Sequence, residues 1–222
     1  YESLERMYLA HAVHGTTAIL PTTMAAPHET LVQAARLIGK VMETEAPFCT
    51  GILGLHLEGP WINPESRGAQ PIEGIRMPSI KELDTLVQEA NGYVKMITVA
   101  PEMPGALDLI NYSVSMGIKV SLGHSSATYD QVIAAVEAGA THITHAYNGM
   151  SGLHHRYPGM VGAMLTCSRL TADVVLDGFH LHRAAGEILR KCKGKERLAL
   201  ITDATMAAGM PSGKYELGGQ EV

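Results

Sequence analysis

Residues 118–139 are IKVSLGHSSATYDQVIAAVEAG, a stretch that contains an apolar strand-like run, a short polar loop and a segment with helical spacing. Thr128 and Gln131 have the spacing of a helix capping box, and Gly139 lies where a helix C-cap is expected. A strand, a loop and a helix in this order form the repeating unit of a parallel α/β sheet. The stretch therefore predicts an α/β fold.

The same unit recurs along the chain. Six further strand-like runs occur at 16–22, 52–60, 94–102, 141–148, 170–180 and 198–205, and helical patterns between them include those at 28–44, 79–90 and 106–117. The runs are almost continuously apolar, as expected of parallel strands that are covered on both faces. The first run is not followed by GxGxxG and the chain has no P-loop, so the pattern disfavours a nucleotide-binding doubly wound sheet.

Residues with metal-binding side chains end several of these runs. They occur in HLEGP (56–60), GHSSAT (123–128), THITHAYNGM (141–150) and ITDAT (201–205). Catalytic residues at the carboxyl ends of several parallel strands are typical of a (β/α)8 TIM-type barrel. The seven strand-like runs predict such a barrel without its first βα unit. Because Tyr1 opens a helical pattern and the final GGQEV opens a strand-like one, we expect residues 1–222 to be one partial barrel domain of a longer protein.

The composition fits a globular protein, since 46% of the 222 residues are hydrophobic, which is sufficient for one core. The net charge is −5 without a long basic run, so we expect no nucleic-acid partner, and the basic stretch 190–197 indicates the end of a surface helix. No run reaches the roughly 18 apolar residues of a membrane helix. Cys49, Cys167 and Cys192 are odd in number and widely spaced, which favours a reducing compartment, the cytoplasm.

Glu58, His124 and His145 form the predicted metal site. A buried carboxylate at the end of a strand needs a metal, another cation or a proton. One carboxylate and two imidazoles bind a divalent cation and leave a position open for water, as catalytic zinc sites do. Zinc is the expected metal, and the same ligands also suit iron or manganese.

Three residues near these ligands have alternative interpretations. His56 shares a strand face with Glu58 and is expected to be a hydrogen-bonded core residue rather than a ligand. His142 is three residues from His145, so a strand would direct them to opposite faces. We expect His145 to face the barrel interior and His142 to be buried against helices or hydrogen-bonded. Asp203 is expected to be a general acid/base, with a helix N-cap as the alternative.

An anion site is expected in the loop beyond His145. Backbone N–H groups around Gly149 can converge on an anion, and the Asn148 side chain adds a donor. Arg156 can bind a phosphate through two parallel hydrogen bonds. His180, at another strand end, can bind a substrate hydroxyl or phosphate, or can be a satisfied loop histidine.

Several strings occur in combination: HLEGPW, GAQ, VAPE, GHSSAT, THITHAYNGM, DGFH and LITDAT. From about Gly15 to about Gly209 the chain thereby resembles the N-acetylglucosamine-6-phosphate deacetylases of the amidohydrolase superfamily. The resemblance implies conversion of N-acetylglucosamine 6-phosphate to glucosamine 6-phosphate and acetate, with metal on Glu58, His124 and His145 and acid/base chemistry by Asp203. It also implies a homodimer and an accessory β-sandwich from chain ends outside this sequence. The substrate contacts that it implies come from Ala69, Gln70, Asn148, Gly149, Arg156, Asp177 and His180.

Gln70 departs from the resemblance, because well-studied bacterial members have a histidine there that helps to polarise the amide carbonyl. Glutamine can donate a hydrogen bond but cannot carry a positive charge. The first-strand motif that can bind a second metal lies outside this chain, so the sequence is compatible with one metal or two. Two other functions stay open: another metal-dependent amidohydrolase, acting on a cyclic amide or an N-acyl amino acid, and a non-catalytic sugar-phosphate-binding protein.

Overall fold

A computed structural model describes residues 2–44 and 51–221. Its main feature is a parallel sheet of seven strands, each paired with the next along the chain. The strands are β1 (Thr22–Thr23), β2 (Leu55–Glu58), β3 (Val94–Val99), β4 (Lys119–Leu122), β5 (His142–Ile143), β6 (Thr171–Val174) and β7 (Leu198–Leu200). The predicted parallel sheet is confirmed, although every strand is shorter than its apolar run.

Helices alternate with the strands and pack against the sheet. They are α1 (Glu2–Ala12), α2 (His28–Met42), α3 (Ile80–Glu89), α4 (Ala106–Ser115), α5 (Tyr129–Glu137), α6 (Gly159–Thr166) and α7 (Arg183–Lys193). Helix α5 begins with the predicted capping box, in which the Thr128 hydroxyl accepts from the Gln131 N–H and the Gln131 side chain accepts from the Thr128 N–H. The box satisfies backbone donors that the start of a helix leaves free.

Side chains along the strands alternate between two environments. Leu57 and Ile97 are fully buried in the apolar core that the sheet forms with the helices. His56, Thr98 and Thr144 are joined by hydrogen bonds on the other face, with His56 Nε2 and Thr98 Oγ1 2.8 Å apart and the two threonine hydroxyls also 2.8 Å apart. Successive residues of a strand face opposite sides of the sheet. The outer core is therefore apolar, and the barrel interior is polar.

Strands β1 and β7 are the two edges of the described sheet. Both edges, together with His56, Glu58 and His142, line a cavity of about 650 Å³. An eighth barrel strand would pair there, so the described residues form the curled, partial barrel that the sequence predicts. A separate antiparallel hairpin consists of β8 (Glu216–Leu217) and β9 (Gln220–Glu221). None of the helices in the described ranges has the length and apolarity that crossing a membrane would require.

The basic stretch 190–197 forms the end of α7 and the turn that follows, and it is exposed except at Lys193. Lys193 is buried, and its ammonium group donates to the Cys167 carbonyl oxygen at 2.8 Å, beyond the last turn of α6. Cys167 and Cys192 are free thiols, whereas Cys49 lies outside the described residues. The prediction of a surface helix end therefore holds with one buried exception.

Candidate active site

Glu58, His124 and His145 meet beyond the carboxyl ends of three parallel strands. Glu58 is the last residue of β2, and the two histidines follow β4 and β5 by two residues each. His124 Nε2 lies 2.8 Å from Glu58 Oε1 and 3.0 Å from His145 Nε2, and His145 Nε2 lies 3.5 Å from Glu58 Oε1. All three are buried, and within residues 2–44 and 51–221 they are the one such group of side chains that could hold a metal ion.

The hydrogen bonds of His124 test whether a cation fits the cluster. Its Nδ1–H donates to the Ser66 carbonyl oxygen at 3.0 Å, because a carbonyl oxygen can only accept. A neutral His124 therefore directs the Nε2 lone pair at the Glu58 carboxylate, 2.8 Å away. The lone pair on Nε2 and the negatively charged carboxylate oxygen repel each other at this distance unless a cation or a proton lies between them. One carboxylate and two imidazoles are suitable donors for a divalent metal, so the residues fit such an ion.

The pKa values of the cluster indicate the same demand for positive charge. Burial alone would raise the pKa of Glu58, but hydrogen bonds from His124 and His145 lower it well below its usual range. Burial disfavours the charged form of His145, but the hydrogen bond and charge of Glu58 raise its pKa to about 9. A metal ion that binds here would therefore displace a proton from His145.

His124, His145 and Asp203 share an uncommon backbone conformation, with φ angles of 47°, 35° and 48°. Among the non-glycine residues that the structure describes, positive φ otherwise occurs at Asn91 and Tyr147 alone. Such a conformation costs roughly 1–3 kcal/mol and concentrates at functional sites. The turn at each residue takes its side chain out of the alternation of the preceding strand, which is how the two histidines reach Glu58.

The interior contains both His142 and His145, which differs from the expectation that only one would face it. Strand β5 ends at Ile143, so the alternation of a strand does not extend to His145. His142 lines the cavity and donates from Nε2 to the Asp173 carboxylate at 3.2 Å. Asp173 also accepts the backbone N–H of His145. His142 therefore supports the turn of His145, while His145 alone joins the three-residue cluster.

Asp203 follows β7 and lines the same cavity as Glu58. The pKa of Asp203 is raised, first because the surrounding protein desolvates the carboxylate and second because Glu58 is negatively charged, while the charge of His145 acts in the opposite sense. A turn, not a helix, follows at 206–209, so the N-cap alternative is not realised. The carboxylate thus lies in the electrostatic field of the cluster without capping any helix.

Gln70 is buried beside Glu58 and both ends of its amide are used. Its Oε1 accepts the Ala25 N–H at 2.6 Å, which fixes the orientation of the amide. Its Nε2 then donates to Glu58 Oε1 at 3.1 Å. One N–H therefore holds a metal ligand, and the second N–H of the same group is left for another acceptor.

Asn148 and Gly149 lie against the two histidines. Asn148 Nδ2 is 3.3 Å from the His145 carbonyl oxygen and 3.2 Å from that of Ala146, so it braces the turn after the ligand. Gly149 has a φ of +56°, and a Cβ there would lie 3.2 Å from His124 Nδ1. The close approach of this loop to His124 therefore requires glycine.

The remaining predicted substrate residues, Ala69, Arg156, Asp177 and His180, are exposed, and no hydrogen bond in the described ranges joins them to the cluster. The Asp177 carboxylate accepts the backbone N–H groups of His180 and Phe179, both at 2.9 Å, and the His180 Nδ1–H at 2.6 Å. These bonds, the backbone ones first, lower the pKa of Asp177 to about 2. Asp177 thereby orients His180 and leaves its Nε2 available for a ligand.

Glu102, in the string VAPE, is a residue that the sequence analysis did not single out. Its carboxylate accepts three hydrogen bonds, from Asn63 Nδ2 at 2.9 Å, Ser125 Oγ at 2.7 Å and the Ser126 N–H at 2.6 Å. It lies just beyond β3, and an acidic residue after a barrel strand is the signal that could have identified it. Its partners border the loop of His124.

The partial barrel brings a carboxylate, two imidazoles and a further carboxylate to its strand ends, an arrangement typical of metal-dependent barrel hydrolases. No protein-family model matches the chain. The chain is 43% identical, over 99% of its length, to N-acetylgalactosamine-6-phosphate deacetylase of Escherichia coli O157:H7, and 41% identical, over 100%, to N-acetylglucosamine-6-phosphate deacetylase of Vibrio furnissii. It spans only 58% and 55% of these relatives.

Solved structures show the same similarity. An N-acetyl-D-glucosamine-6-phosphate deacetylase mutant from Mycobacterium smegmatis, in complex with N-acetyl-D-glucosamine-6-phosphate, matches with a TM-score of 0.88 and 36% identity over 94% of this chain and 53% of that chain. The enzyme from Thermotoga maritima matches with a TM-score of 0.87 and 32% identity over 100% of this chain and 58% of that chain. The resemblance to N-acetylglucosamine-6-phosphate deacetylases and the barrel fold are thus confirmed.

Proposed function

We propose that the protein containing this chain removes the acetyl group from N-acetylglucosamine 6-phosphate, giving glucosamine 6-phosphate and acetate. The observation that carries the proposal is the buried cluster of Glu58, His124 and His145, whose ligand atoms lie within 4.8 Å of one another. Supporting it, deacetylases of N-acetylhexosamine 6-phosphates share 37–43% identity with nearly the whole chain.

The cluster would hold a divalent cation, zinc in this proposal, with iron or manganese as alternatives. When bound, the cation supplies Lewis-acid chemistry that activates water and polarises a carbonyl. Asp203 accepts a proton from water and returns it to the departing amine. Its carboxylate lines the same cavity as the predicted ligand Glu58, which places a proton acceptor where such an exchange needs one. The second N–H of Gln70 donates to the oxygen of the acetyl group, where negative charge develops.

We assign the sugar phosphate to the loops around the cluster. Asn148 and Gly149 border His145 and His124, and His180 is oriented by Asp177. Arg156 supplies an exposed guanidinium for the phosphate, and the loop at Ala69 precedes Gln70, which contacts Glu58.

The proposal also includes a homodimer, which light scattering can test. It includes a cytoplasmic location as well, because widely spaced cysteines are typical of a reducing compartment.

Acetate release from the purified protein tests the function. N-acetylglucosamine 6-phosphate should be turned over, the unphosphorylated sugar should be a much poorer substrate, and removal of metal should abolish turnover until zinc is restored. Equal turnover of both sugars would favour a different amidohydrolase. A protein that binds the sugar phosphate without releasing acetate in the presence of zinc, iron or manganese would favour a non-catalytic role.

N-acetylgalactosamine 6-phosphate is a second candidate substrate, because the relative with 43% identity is named as a deacetylase of that compound. The two substrates differ only in the configuration of the hydroxyl at carbon 4, so the acyl chemistry is the same. Comparing kcat/KM for the two epimers decides between them. A higher value for the galacto epimer would replace the substrate of the proposal and leave its mechanism intact.

Asp203→Asn should reduce kcat by roughly 10²–10⁴-fold, because the amide cannot accept a proton, while bound metal is retained. Loss of metal together with activity would identify Asp203 as a ligand. The matched control is Asp84→Asn, which changes a carboxylate that accepts a hydrogen bond from Tyr112 on the protein surface and should leave both properties unchanged.

His145→Ala should lose both the bound metal and the activity. Retained metal would indicate that His142 is the ligand instead.

A further inference from the structure

We infer that Glu102 is a positioning residue that ties together the loops after β2, β3 and β4 and thereby fixes the predicted metal ligand His124. The inference rests on the metal-dependent function proposed above. Glu102 itself belongs to the loop after β3, Asn63 to the loop after β2, and Ser125 and Ser126 to the loop after β4.

The Glu102 carboxylate accepts one side-chain amide, one hydroxyl and one backbone N–H. These donors are 2.6–2.9 Å away and belong to Asn63, Ser125 and Ser126. The two oxygens of one carboxyl group can accept several hydrogen bonds at once. Two loops that are far apart in sequence are therefore held to one side chain.

The loop after β2 binds His124, which lies in the loop after β4, at two points. The Asn63 N–H donates to the His124 carbonyl oxygen at 3.0 Å, and the Ser66 carbonyl oxygen accepts the His124 Nδ1–H at 3.0 Å. The hydroxyls of Ser66 and Ser126 are 2.7 Å apart, which is a further bridge between the loops. Glu102 is thus bonded directly to Asn63, which holds the His124 backbone, and through Ser126 to Ser66, which accepts the imidazole N–H.

The same carboxylate is connected to the loop of Gly149. The Ser125 N–H donates to the Gly149 carbonyl oxygen at 2.9 Å, and the Ser151 N–H donates to the Ser125 carbonyl oxygen at 3.1 Å. Gly149 in turn packs against the His124 imidazole. Ser125, whose hydroxyl Glu102 holds, therefore connects the metal ligand with the loop that we assign to the sugar phosphate.

The backbone of His124 explains why such support is needed. Its φ of 47° lies in the left-handed region, and a residue stays there only when its surroundings hold it. Removing Glu102 would leave three donors without their acceptor and would release both loops. The imidazole would then be free to leave the geometry that a metal requires.

The test compares Glu102→Ala with Glu102→Gln, using zinc affinity from chelator competition and the visible spectrum of the cobalt-loaded protein. Glu102→Ala should weaken zinc binding about 10–100-fold, the usual effect of losing a partner that orients a ligand, and should change the cobalt spectrum. Glu102→Gln should remain close to wild type. Its Oε1 keeps the Asn63 and Ser126 donors, and the Ser125 hydroxyl can rotate to accept from the new amide.

The control for lost stability is Leu109→Ala, which removes a fully buried core side chain from α4, the helix that follows Glu102. It should destabilise the protein without changing zinc affinity. Zinc affinity in Glu102→Ala equal to that of Leu109→Ala would overturn the inference, as would an equal loss in Glu102→Gln. If the wild type releases no acetate but Glu102→Ala still loses zinc affinity, the deacetylase function fails and the positioning role stands.

Discussion

Gln70 and Gly149 each contact a predicted metal ligand without being one. Gln70 Nε2 lies 3.1 Å from Glu58 Oε1, and Gly149 packs against His124 Nδ1. A residue that orients a ligand affects metal affinity as well as folding. Substitutions at these two positions can therefore separate the geometry of the site from the identity of its ligands.

Gln70→Met should weaken zinc binding by roughly 10–100-fold, because Glu58 loses the donor that orients its carboxylate. It should also lower the free energy of unfolding by about 1–3 kcal/mol, since the buried N–H of Ala25 loses its acceptor while side-chain length is kept. Chelator competition and urea unfolding measure the two effects. Zinc affinity unchanged from wild type would show that Glu58 does not depend on this amide.

Gly149→Ala should impair both stability and metal binding. Alanine at a φ of +56° costs about 1–2 kcal/mol, and its Cβ would approach His124 Nδ1 and the Ser66 carbonyl oxygen to 3.2 Å. The imidazole must move, so zinc affinity should fall. Isothermal titration with zinc and thermal unfolding measure the two effects.

The matched control for Gly149→Ala is Gly92→Ala. Gly92 has a φ of +79°, and a Cβ there would meet nothing within 4 Å. Gly92→Ala should lose a comparable free energy of unfolding, because the strain comes from the backbone alone, and should keep the zinc affinity of the wild type. Equal zinc affinities in the two variants would argue against steric contact with His124.

At the scale of elements, Glu82 on α3 connects several segments near the first turns of α2 and α3. It accepts from Arg76, from the indole N–H of Trp61 at 3.2 Å and from His28 Nδ1 at 2.8 Å. Arg76 also donates to the carbonyl oxygens of Ala26 and Gly74, at 2.8 Å and 2.6 Å. Since Ala25 precedes Ala26 and donates to Gln70, this network stabilises the segment that holds the amide.

Glu82→Gln should lower the free energy of unfolding by about 1.5–3 kcal/mol at neutral pH, the range for hydrogen bonds to charged groups. Burial opposes ionisation of Glu82, but the bonds from Arg76 and His28 outweigh it and lower its pKa. A carboxyl with a lowered folded-state pKa stabilises above its unfolded pKa of roughly 4.3, and that stability is lost as the pH falls through the folded value. The difference between wild type and Glu82→Gln should therefore shrink below about pH 4.3. Urea unfolding at several pH values measures it, and a constant difference from pH 7 to pH 3 would contradict the assignment.

Features that depend on residues close together in sequence were predictable. Most of those that depend on contacts between residues far apart in sequence were not. Thr128 and Gln131 are neighbours on the same helix turn, so spacing alone predicted their reciprocal bonds. Glu58 and His124 could be paired because the ends of parallel strands converge on one rim. Glu102 and Asn63 are 39 residues apart, and their contact depends on loop paths that no sequence period encodes. His142 is hydrogen-bonded as expected, but it also lines the cavity, because the two-residue β5 ends before the strand alternation could separate it from His145.

At the scale of the whole molecule, the predicted metal site joins strands that are separated in sequence. Glu58 and His124 are 66 residues apart, and His124 and His145 are 21 apart. In the unfolded chain these ligands are not assembled, so metal binds the folded state almost exclusively. A ligand that binds only the folded state raises the free energy of unfolding by about 2.7 kcal/mol when its free concentration is 100 times Kd.

Zinc should therefore raise the unfolding temperature of the metal-depleted protein, and the rise should increase with the logarithm of free zinc above Kd. His145→Ala should remove this dependence, because two ligands remain and the site loses its geometry. His154→Ala is the matched control, since His154 is an exposed loop histidine and its loss should leave the zinc-dependent shift intact. Differential scanning calorimetry over a zinc titration gives the result. A shift of the same size in His145→Ala would mean that zinc stabilises the fold from a different site. The cluster of Glu58, His124 and His145 would then not be the metal site.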